Sequence, residues 1–203
     1  CVLLKRYSMP TNLTKNNFLV SRNQREKVSG HPGKVIWFTG LSASGKSTIA
    51  NALDLELNKR GLRTYILDGD NVRMGLNKDL GFSPESRKEN IRRISEVAKL
   101  FADSGTIVMT AFISPYREDR KSAREVIGSD YVEVFVNTPV EECINRDPKG
   151  LYKKAIAGEI KGFTGIDAPY EEPLNPEINL ENLSIEKSAE ILINYLKQQC
   201  IIK

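Results

Sequence analysis

Short apolar segments alternate with longer amphipathic segments along most of this chain. Four of the short segments are nearly continuous apolar runs or are rich in β-branched and aromatic residues, and they span residues 35–39, 63–67, 106–111 and 131–136. A weaker fifth segment spans residues 178–180. Such runs are typical of strands that are covered on both faces of a sheet. Because helical stretches separate them, the pattern predicts an α/β domain with a mainly parallel five-stranded sheet and right-handed crossovers.

Three helices are predicted where apolar residues recur at helical spacing. The first spans residues 47–60 and ends before Gly61, since glycine commonly follows the last turn of a helix. The second spans residues 85–104 and begins after Ser83, whose side chain is suited to cap it. The third spans residues 186–198 and closes the domain.

The length of 203 residues favours a single domain. Residues 1–30 are polar and lack a clear period, so we interpret them as an N-terminal arm that packs on the domain or on a partner subunit. Residues 31–203 are predicted to form the domain itself, because the regular alternation of strands and helices begins there.

Composition narrows the possible partners and location. No apolar run approaches the roughly 18 residues that a membrane-spanning helix needs. The net charge of +4 is not concentrated in a basic stripe and no nucleic-acid-binding motif is present, so we expect neither a membrane nor a nucleic acid as partner. The three cysteines, Cys1, Cys143 and Cys200, lack metal-ligand spacing, which predicts reduced thiols in a cytoplasmic protein.

A phosphate-binding motif follows the first predicted strand. Residues 40–47 read Gly-Leu-Ser-Ala-Ser-Gly-Lys-Ser and fit the P-loop pattern G-x-x-x-x-G-K-[ST] at every fixed position. In such a loop the backbone N–H groups surround phosphate oxygens, Lys46 reaches the β- and γ-phosphates of ATP, and Ser47 ligates Mg²⁺. The residues assigned to the nucleotide site are Gly40, Ala43, Ser44, Gly45, Lys46, Ser47 and Thr48. A chance glycine-rich turn is the alternative interpretation, and the motif also occurs in GTPases and other ATPases.

A cluster of charged residues follows the second predicted strand. Asp68 and Asp70 flank Gly69, and Arg73 comes three residues later. One carboxylate is suited to accept a proton from an attacking hydroxyl, and a carboxylate such as that of Asp68 is suited to hold Mg²⁺. Arg73 is suited to bind an anion bidentately. The alternative interpretation is an ordinary Asp-Gly turn in which an aspartate caps the next helix.

Residues near the start of the second predicted helix suggest an anion site. Arg87 and Asn90 are three residues apart and share one helix face, where both are suited to bind phosphate or sulfate oxygens. Phe82 precedes the helix and is suited to stack on an aromatic base. A solvated, charged helix face is the alternative interpretation.

Taken together, the motifs resemble those of the adenylyl-sulfate kinase family from about residue 30 to residue 175. The resemblance rests on the P-loop and on six further segments, residues 68–73, 80–83, 89–93, 112–117, 149–155 and 158–167. It implies a P-loop kinase fold with three α/β/α layers and a mobile lid. It also implies that ATP and adenylyl sulfate are converted, with Mg²⁺, to ADP and 3′-phosphoadenylyl sulfate in sulfate assimilation. A homodimer is implied as well, and a sulfurylase is a further partner that the resemblance allows.

The resemblance also assigns site residues. Those implied to contact adenylyl sulfate are Asp70, Asn71, Val72, Arg73, Phe82, Arg87, Asn90, Ile113, Ser114, Lys149, Gly162 and Phe163. Arg146 matches an arginine on the nucleotide side that precedes the lid. Ser114 matches a serine that the family names as a phosphoserine intermediate, although direct in-line attack by the ribose 3′-hydroxyl needs no such intermediate. The catalytic assignments are Ser114, Lys46, Asp68 and Asp70.

Two further expectations concern the backbone. Lysines and glycines interleave between Lys149 and Gly165, which favours a basic lid that closes over ATP and excludes water. Ala43 stands where many family members carry glycine, and its Cβ predicts a local backbone that avoids positive φ.

Three rival functions stay open at this point: a P-loop kinase for another small molecule, a nucleotide-dependent switch, and a regulatory subunit that binds the product without turnover. The switch is disfavoured because Asn77-Lys78-Asp79 lacks the spacer residue of a guanine-reading motif.

Overall fold

A computed structural model describes residues 12–14 and 16–203. The strands in this part of the chain are β1 (Lys34–Thr39), β2 (Thr64–Asp68), β3 (Ile107–Ala111), β4 (Tyr131–Asn137) and β5 (Ile178–Glu181). The α-helices are α1 (Arg22–Ser29), α2 (Lys46–Lys59), α3 (Gly69–Met74), α4 (Pro84–Asp103), α5 (Arg117–Ile127), α6 (Val140–Arg146), α7 (Leu151–Ile156) and α8 (Ile185–Gln198). A short 3₁₀ helix, Gly128–Asp130, leads into β4. Within the described residues no helix is long and apolar enough to cross a membrane.

The five strands form one parallel sheet in the order β2-β3-β1-β4-β5. β1 lies at its centre, with Val35 beside Val108 of β3 on one side and beside Tyr131 of β4 on the other. The predicted α/β fold and its five strands are therefore confirmed. Central strands of a parallel sheet are covered on both faces, which explains why β1 and β3 are apolar almost throughout.

Helices cover both faces of the sheet and produce three layers. Ile36 and Phe38 of β1 belong to a core with Leu53 of α2 and Leu192 of α8. On the other face, Trp37 of β1 packs in a second core whose helical residues come from α4 and α5. Alternate side chains of a strand point to opposite faces, so β1 contributes to both cores.

One helix lies within the segment that the sequence left without regular structure. α1 begins after Ser21, and a capping box joins Ser21 to Gln24. Arg22 pairs with Asp130, and Gly33 N–H donates to the Glu26 carboxylate at 3.0 Å. Since no residue of α1 is buried, hydrophobic period does not reveal it, and these polar contacts attach it to the domain. Cys1 and most of the first half of the arm lie outside the described residues.

Candidate active site

The motifs found in the sequence lie at the carboxyl edge of the sheet. The P-loop leaves β1, Asp68 ends β2, and the Ile113–Ser114 segment follows β3. Gly40 N–H approaches Ile113 O at 3.5 Å, so the segments after β1 and β3 are adjacent. Ligands of open parallel sheets bind at this edge, where loops from neighbouring strands meet.

The P-loop has the backbone of an anion cradle. A Cβ at Gly40 would lie 2.6 Å from Val136 O, so only glycine fits against the end of β4. Gly45, at φ +105°, caps α2 without any side-chain hydrogen bond to the first turn. The N–H groups of that turn, including those of Ser47 and the exposed Thr48, are thus not used by a capping side chain and point toward the loop. Thr138 Oγ1 donates to Ser44 O at 2.9 Å and fixes the loop on the sheet.

Ala43 adopts a left-handed backbone, with φ +58°. The expectation that this position avoids positive φ is therefore wrong. The loop turns through Ala43 and Gly45, both at positive φ, and this kind of turn gathers successive N–H groups into one concavity. A residue with a Cβ pays about 1–2 kcal/mol for that conformation.

Lys46 is buried within the loop. Its ammonium donates to Gly40 O at 3.0 Å and to Leu41 O at 2.5 Å. Desolvation lowers the pKa of this side chain to about 8. Neutral carbonyls compensate a buried ammonium only weakly, so a polyphosphate in the cradle would be a stronger, charged partner.

Asp68 connects the P-loop helix to α3. Its Oδ2 accepts a 2.6 Å hydrogen bond from the Ser47 hydroxyl, and its Oδ1 accepts from Asp70 N–H at 3.0 Å as the N-cap of α3. Asp68 therefore caps the next helix, as the alternative interpretation of the Asp-Gly turn predicted, and it also contacts the P-loop helix. Asp70 is exposed, and its carboxylate pairs with the ammonium of Lys149.

The acceptor residues implied by the resemblance group beyond α3. Arg73 donates to Leu80 O and Gly81 O, both at 3.0 Å, and its guanidinium lies 4.5 Å from the centre of the Phe82 ring. Burial, and then the charge of Arg87, lower the pKa of Arg73. Phe82 is 69% exposed, so one part of its ring surface is free to meet a ligand. Asn71 is exposed beside this group, whereas Val72 packs on the core.

Arg87 joins the start of α4 to the loop that follows α7. It donates to Gly162 O at 2.7 Å and to Thr164 Oγ1 at 2.7 Å, and also to Phe82 O at 2.9 Å. Gly162 and Phe163 are thereby brought to the acceptor residues. The Phe163 ring meets Tyr152 edge-on at 4.9 Å, and a stack of Phe163 with Phe82 around a base stays a prediction.

Asp167 organises the same loop. Its carboxylate accepts from Gly162 N–H at 2.8 Å and from Phe163 N–H at 2.6 Å, and these two bonds lower its pKa. These bonds shape the loop from within, whereas the Arg87 contacts and the Lys149–Asp70 pair connect the predicted lid to the site. We refer to residues 149–168 as the lid segment.

Two assigned residues are buried beneath the site. Asn90 is 4% exposed and accepts from the Asn77 side chain at 2.9 Å. Ser114 is 2% exposed, and its hydroxyl oxygen accepts from the Trp37 indole N–H at 3.2 Å. In this conformation the Ser114 hydroxyl faces the core, so a phosphoryl group reaches it only if the turn opens. Ile113 is half-buried, and its carbonyl accepts from Thr39 Oγ1 at 2.7 Å.

A cleft of about 910 Å³ lies over the P-loop. Its other walls come from Asp68 and Asp70, from Arg146 to Lys149, and from the segment 183–186. Arg146 donates to Ser44 O at 3.3 Å, which places it at the loop as expected. The sequence analysis did not assign residues 183–186 to the site. Their position shortly after β5 was the available signal, because residues that follow the carboxyl end of a parallel strand lie at the ligand edge of the sheet.

Comparison with known proteins agrees with this architecture. Residues 32–181 match the family model of adenylylsulphate kinase. An adenylyl-sulfate kinase of Clostridium acetobutylicum is 56% identical over 194 residues, covering 95% of this chain and 97% of that protein. One of Thermodesulfovibrio yellowstonii is 61% identical over 191 residues, covering 93% and 96%.

A solved structure matches as well. The Mycobacterium tuberculosis APS kinase in complex with AMPPNP and APS superposes with a TM-score of 0.80 at 51% identity, over 82% of this chain and 99% of that one. The family model covers well over half of the chain, and both relatives match along nearly their whole length. The chain therefore belongs to the adenylyl-sulfate kinase family of enzymes.

Proposed function

We propose that this enzyme transfers the γ-phosphoryl group of ATP to the ribose 3′-hydroxyl of adenylyl sulfate, giving ADP and 3′-phosphoadenylyl sulfate in sulfate assimilation. The observation that carries the proposal is the placement, next to Asp68 and Asp70, of two groups of residues that are each suited to bind an anion. One group is the P-loop, and the other consists of Arg73, Phe82 and Arg87. The relative solved with AMPPNP and APS supports the same pair of ligands.

The donor half of the site fits ATP. The P-loop N–H groups and Lys46 bind the β- and γ-phosphates, and the cleft of about 910 Å³ has room for the rest of a nucleotide. Arg146 lies at the loop and adds positive charge beside the phosphates. Leu183 and Ile185 give the far wall of the cleft an apolar surface suited to a base.

Mg²⁺ fits between Ser47 and Asp68. Their oxygens are 2.6 Å apart at the start of α2, and hydroxyl and carboxylate oxygens are the ligands that this hard cation prefers. Among the described residues no cluster of three or more acidic, histidine or cysteine side chains is available to hold a metal. Phosphate oxygens and water would therefore complete the coordination, and the bound ion would neutralise charge between the β- and γ-phosphates.

Asp70 is the carboxylate best placed to orient the attacking hydroxyl. Both oxygens of Asp68 already accept hydrogen bonds within the protein, whereas Asp70 is exposed and, among the described residues, its carboxylate pairs with the exposed side chain of Lys149. When the acceptor binds, Lys149 leaves the Asp70 carboxylate and pairs with the anionic acceptor. The freed carboxylate of Asp70 then accepts a hydrogen bond from the ribose hydroxyl. Positioning and charge stabilisation supply most of the catalysis in phosphoryl transfer.

Transfer is proposed to be direct. The buried Ser114 hydroxyl accepts a hydrogen bond from the Trp37 indole N–H and does not line the cleft over the P-loop, so a phosphoserine would require the turn after β3 to open in each cycle. We assign Ser114 the task of shaping the acceptor loop. The Arg87 contacts close the lid segment over the site, which excludes water and favours transfer over hydrolysis of ATP.

A coupled ADP-release assay with MgATP tests the function, with adenylyl sulfate compared against AMP, shikimate and gluconate. Release that depends on adenylyl sulfate, with a new 3′-phosphorylated product, is the expected result. ADP release with another acceptor would support the kinase activity but refute adenylyl sulfate as the acceptor. ATP binding without release in any mixture would refute the reaction.

The homodimer, the sulfurylase partner and the cytoplasmic location remain predictions. Light scattering coupled to size-exclusion chromatography measures the molar mass in solution and so tests the homodimer directly.

A further inference from the structure

A buried arginine outside the assigned site connects three separate segments. Arg120 of α5 is 3% exposed. Its Nε donates to Glu133 Oε1 on β4 at 3.0 Å, its Nη1 to Ser114 O at 2.6 Å, and its Nη2 to Glu171 O at 2.6 Å. A guanidinium holds its donors in a fixed plane, so three acceptors bound at once are fixed relative to one another.

Two of these three segments carry the acceptor site. Ser114 directly follows Ile113, and Glu171 follows the lid segment by three residues. Glu171 N–H also donates to Pro115 O at 2.9 Å, so the base of the lid runs along the turn after β3. The two segments are distant in sequence and meet at Arg120.

Further bonds extend the connection to the P-loop. The Tyr170 hydroxyl lies 2.9 Å from Thr39 Oγ1, which in turn donates to Ile113 O at 2.7 Å. Thr39 is the last residue before the P-loop. The base of the lid, the turn after β3 and the entry to the P-loop therefore form one hydrogen-bonded unit, with Arg120 as its only fully charged donor among these contacts.

The conformation of Ser114 gives Arg120 a specific task. Ser114 has φ +40°, a left-handed backbone that is strained for a residue with a Cβ. A charge-assisted hydrogen bond to its carbonyl stabilises that turn. Glu133 compensates the charge of Arg120 inside the protein, and burial raises the pKa of Glu133. Removing Arg120 would leave both the carbonyls and the carboxylate without this partner.

We propose that Arg120 is a positioning residue for acceptor binding, which sets the turn after β3 and the base of the lid at the spacing that adenylyl sulfate requires. The assignment of the acceptor rests on the proposed function. Arg120 lies outside the cleft over the P-loop, so its loss should affect the acceptor rather than ATP.

Steady-state kinetics of Arg120→Lys test the proposal. Lysine keeps the charge but cannot reach three acceptors in one plane, and we expect the KM for adenylyl sulfate to rise about tenfold while the KM for ATP stays within about twofold. Arg92→Lys is the matched control, because Arg92 lies on the exposed face of α4 and pairs there with Glu89. Equal changes in both KM values, or the same change in the control, would overturn the proposal.

Hydrogen exchange of the ligand-free protein separates this proposal from the proposed function. In Arg120→Lys we expect faster exchange in peptides covering residues 112–117 and 160–172, and unchanged exchange in α8, which makes none of these contacts. Unchanged exchange in the first two peptides would overturn the proposal whatever the acceptor is. If Arg120→Lys fails to fold, Glu133→Gln, which removes the compensating charge and keeps the shape, is measured in its place with the same expected pattern.

Discussion

The Ser47 hydroxyl donates a 2.6 Å hydrogen bond to Oδ2 of Asp68, which joins the first turn of the P-loop helix to the end of β2. The two residues are 21 positions apart in sequence, and they meet because the P-loop and the end of β2 both lie at the carboxyl edge of the sheet. The contact lies at the boundary between the donor and acceptor halves of the site. Under the proposed function, these two oxygens would be ligands of the Mg²⁺ that accompanies ATP.

Ser47→Ala should weaken Mg²⁺ binding in the nucleotide complex. We expect the Mg²⁺ concentration for half-maximal turnover to rise about tenfold or more, since the change removes the proposed hydroxyl ligand, which Asp68 orients. A titration of turnover against Mg²⁺ at fixed ATP measures it. Ser47→Thr keeps the hydroxyl and should behave like the wild type. An unchanged Mg²⁺ requirement in Ser47→Ala would remove Ser47 from the metal site.

Ala43→Gly should stabilise the ligand-free protein. Glycine relieves a left-handed strain of about 1–2 kcal/mol at φ +58°, and loses about 0.5–1 kcal/mol through the greater freedom of the unfolded chain. The free energy of unfolding in urea should therefore rise by about 0.5–1 kcal/mol. Ala52→Gly in the interior of α2 is the control and should lower it by about 1 kcal/mol. A lower free energy of unfolding in Ala43→Gly would contradict the claim that the backbone at Ala43 is strained.

Arg87→Ala should separate the two substrates. Arg87 donates to Gly162 O and Thr164 Oγ1, so its loss removes the attachment of the lid segment to α4 as well as the proposed contact to the anionic acceptor. We expect the KM for adenylyl sulfate to rise at least about tenfold more than the KM for ATP. Arg92→Ala is the control, because Arg92 pairs with Glu89 on the exposed face of the same helix. Equal effects on both substrates would refute the acceptor assignment.

Asp167→Asn should loosen the lid segment at neutral pH. The ionised carboxylate accepts from the N–H groups of Gly162 and Phe163, and the variant loses that charge. Trypsin cleavage after Lys161, which is exposed, should become faster, whereas Asp103→Asn at the surface should leave the rate unchanged.

The pH dependence of the same contact follows from the pKa. Because folding lowers the pKa of Asp167 below its ordinary 3.8, its contribution is fully present above pH 3.8 and is lost only as pH falls through the lower folded value. Cleavage of the wild type after Lys161, corrected for the activity of trypsin, should therefore not change between pH 8 and pH 6. Faster cleavage at pH 6 than at pH 8 would show that a group other than Asp167, titrating in that interval, controls the lid.

Elements that depend on local pattern were predictable. The five strands are short apolar runs, and no predicted end differs from the observed end by more than one residue. The P-loop was recognised because all of its fixed residues are contiguous. By contrast, α1, α3, α5, α6 and α7 were not predicted. Of these, α3 and α7 have only six residues each, too few to show a helical period, and α1 buries none of its residues.

The sequence by itself therefore determined the alternation of the five strands with three of the helices, the phosphate-binding motif and the family, since each depends on residues that are close neighbours along the chain. Only the tertiary structure decided that Ser114 faces Trp37, that Asp68 serves both Ser47 and α3, and that Arg120 binds the base of the lid. Trp37 and Ser114 are 77 positions apart, and Arg120 and Glu171 are 51 apart. Such contacts depend on how β1, β3 and β4 are placed side by side, and a parallel sheet brings together residues whose separation along the chain carries no local pattern.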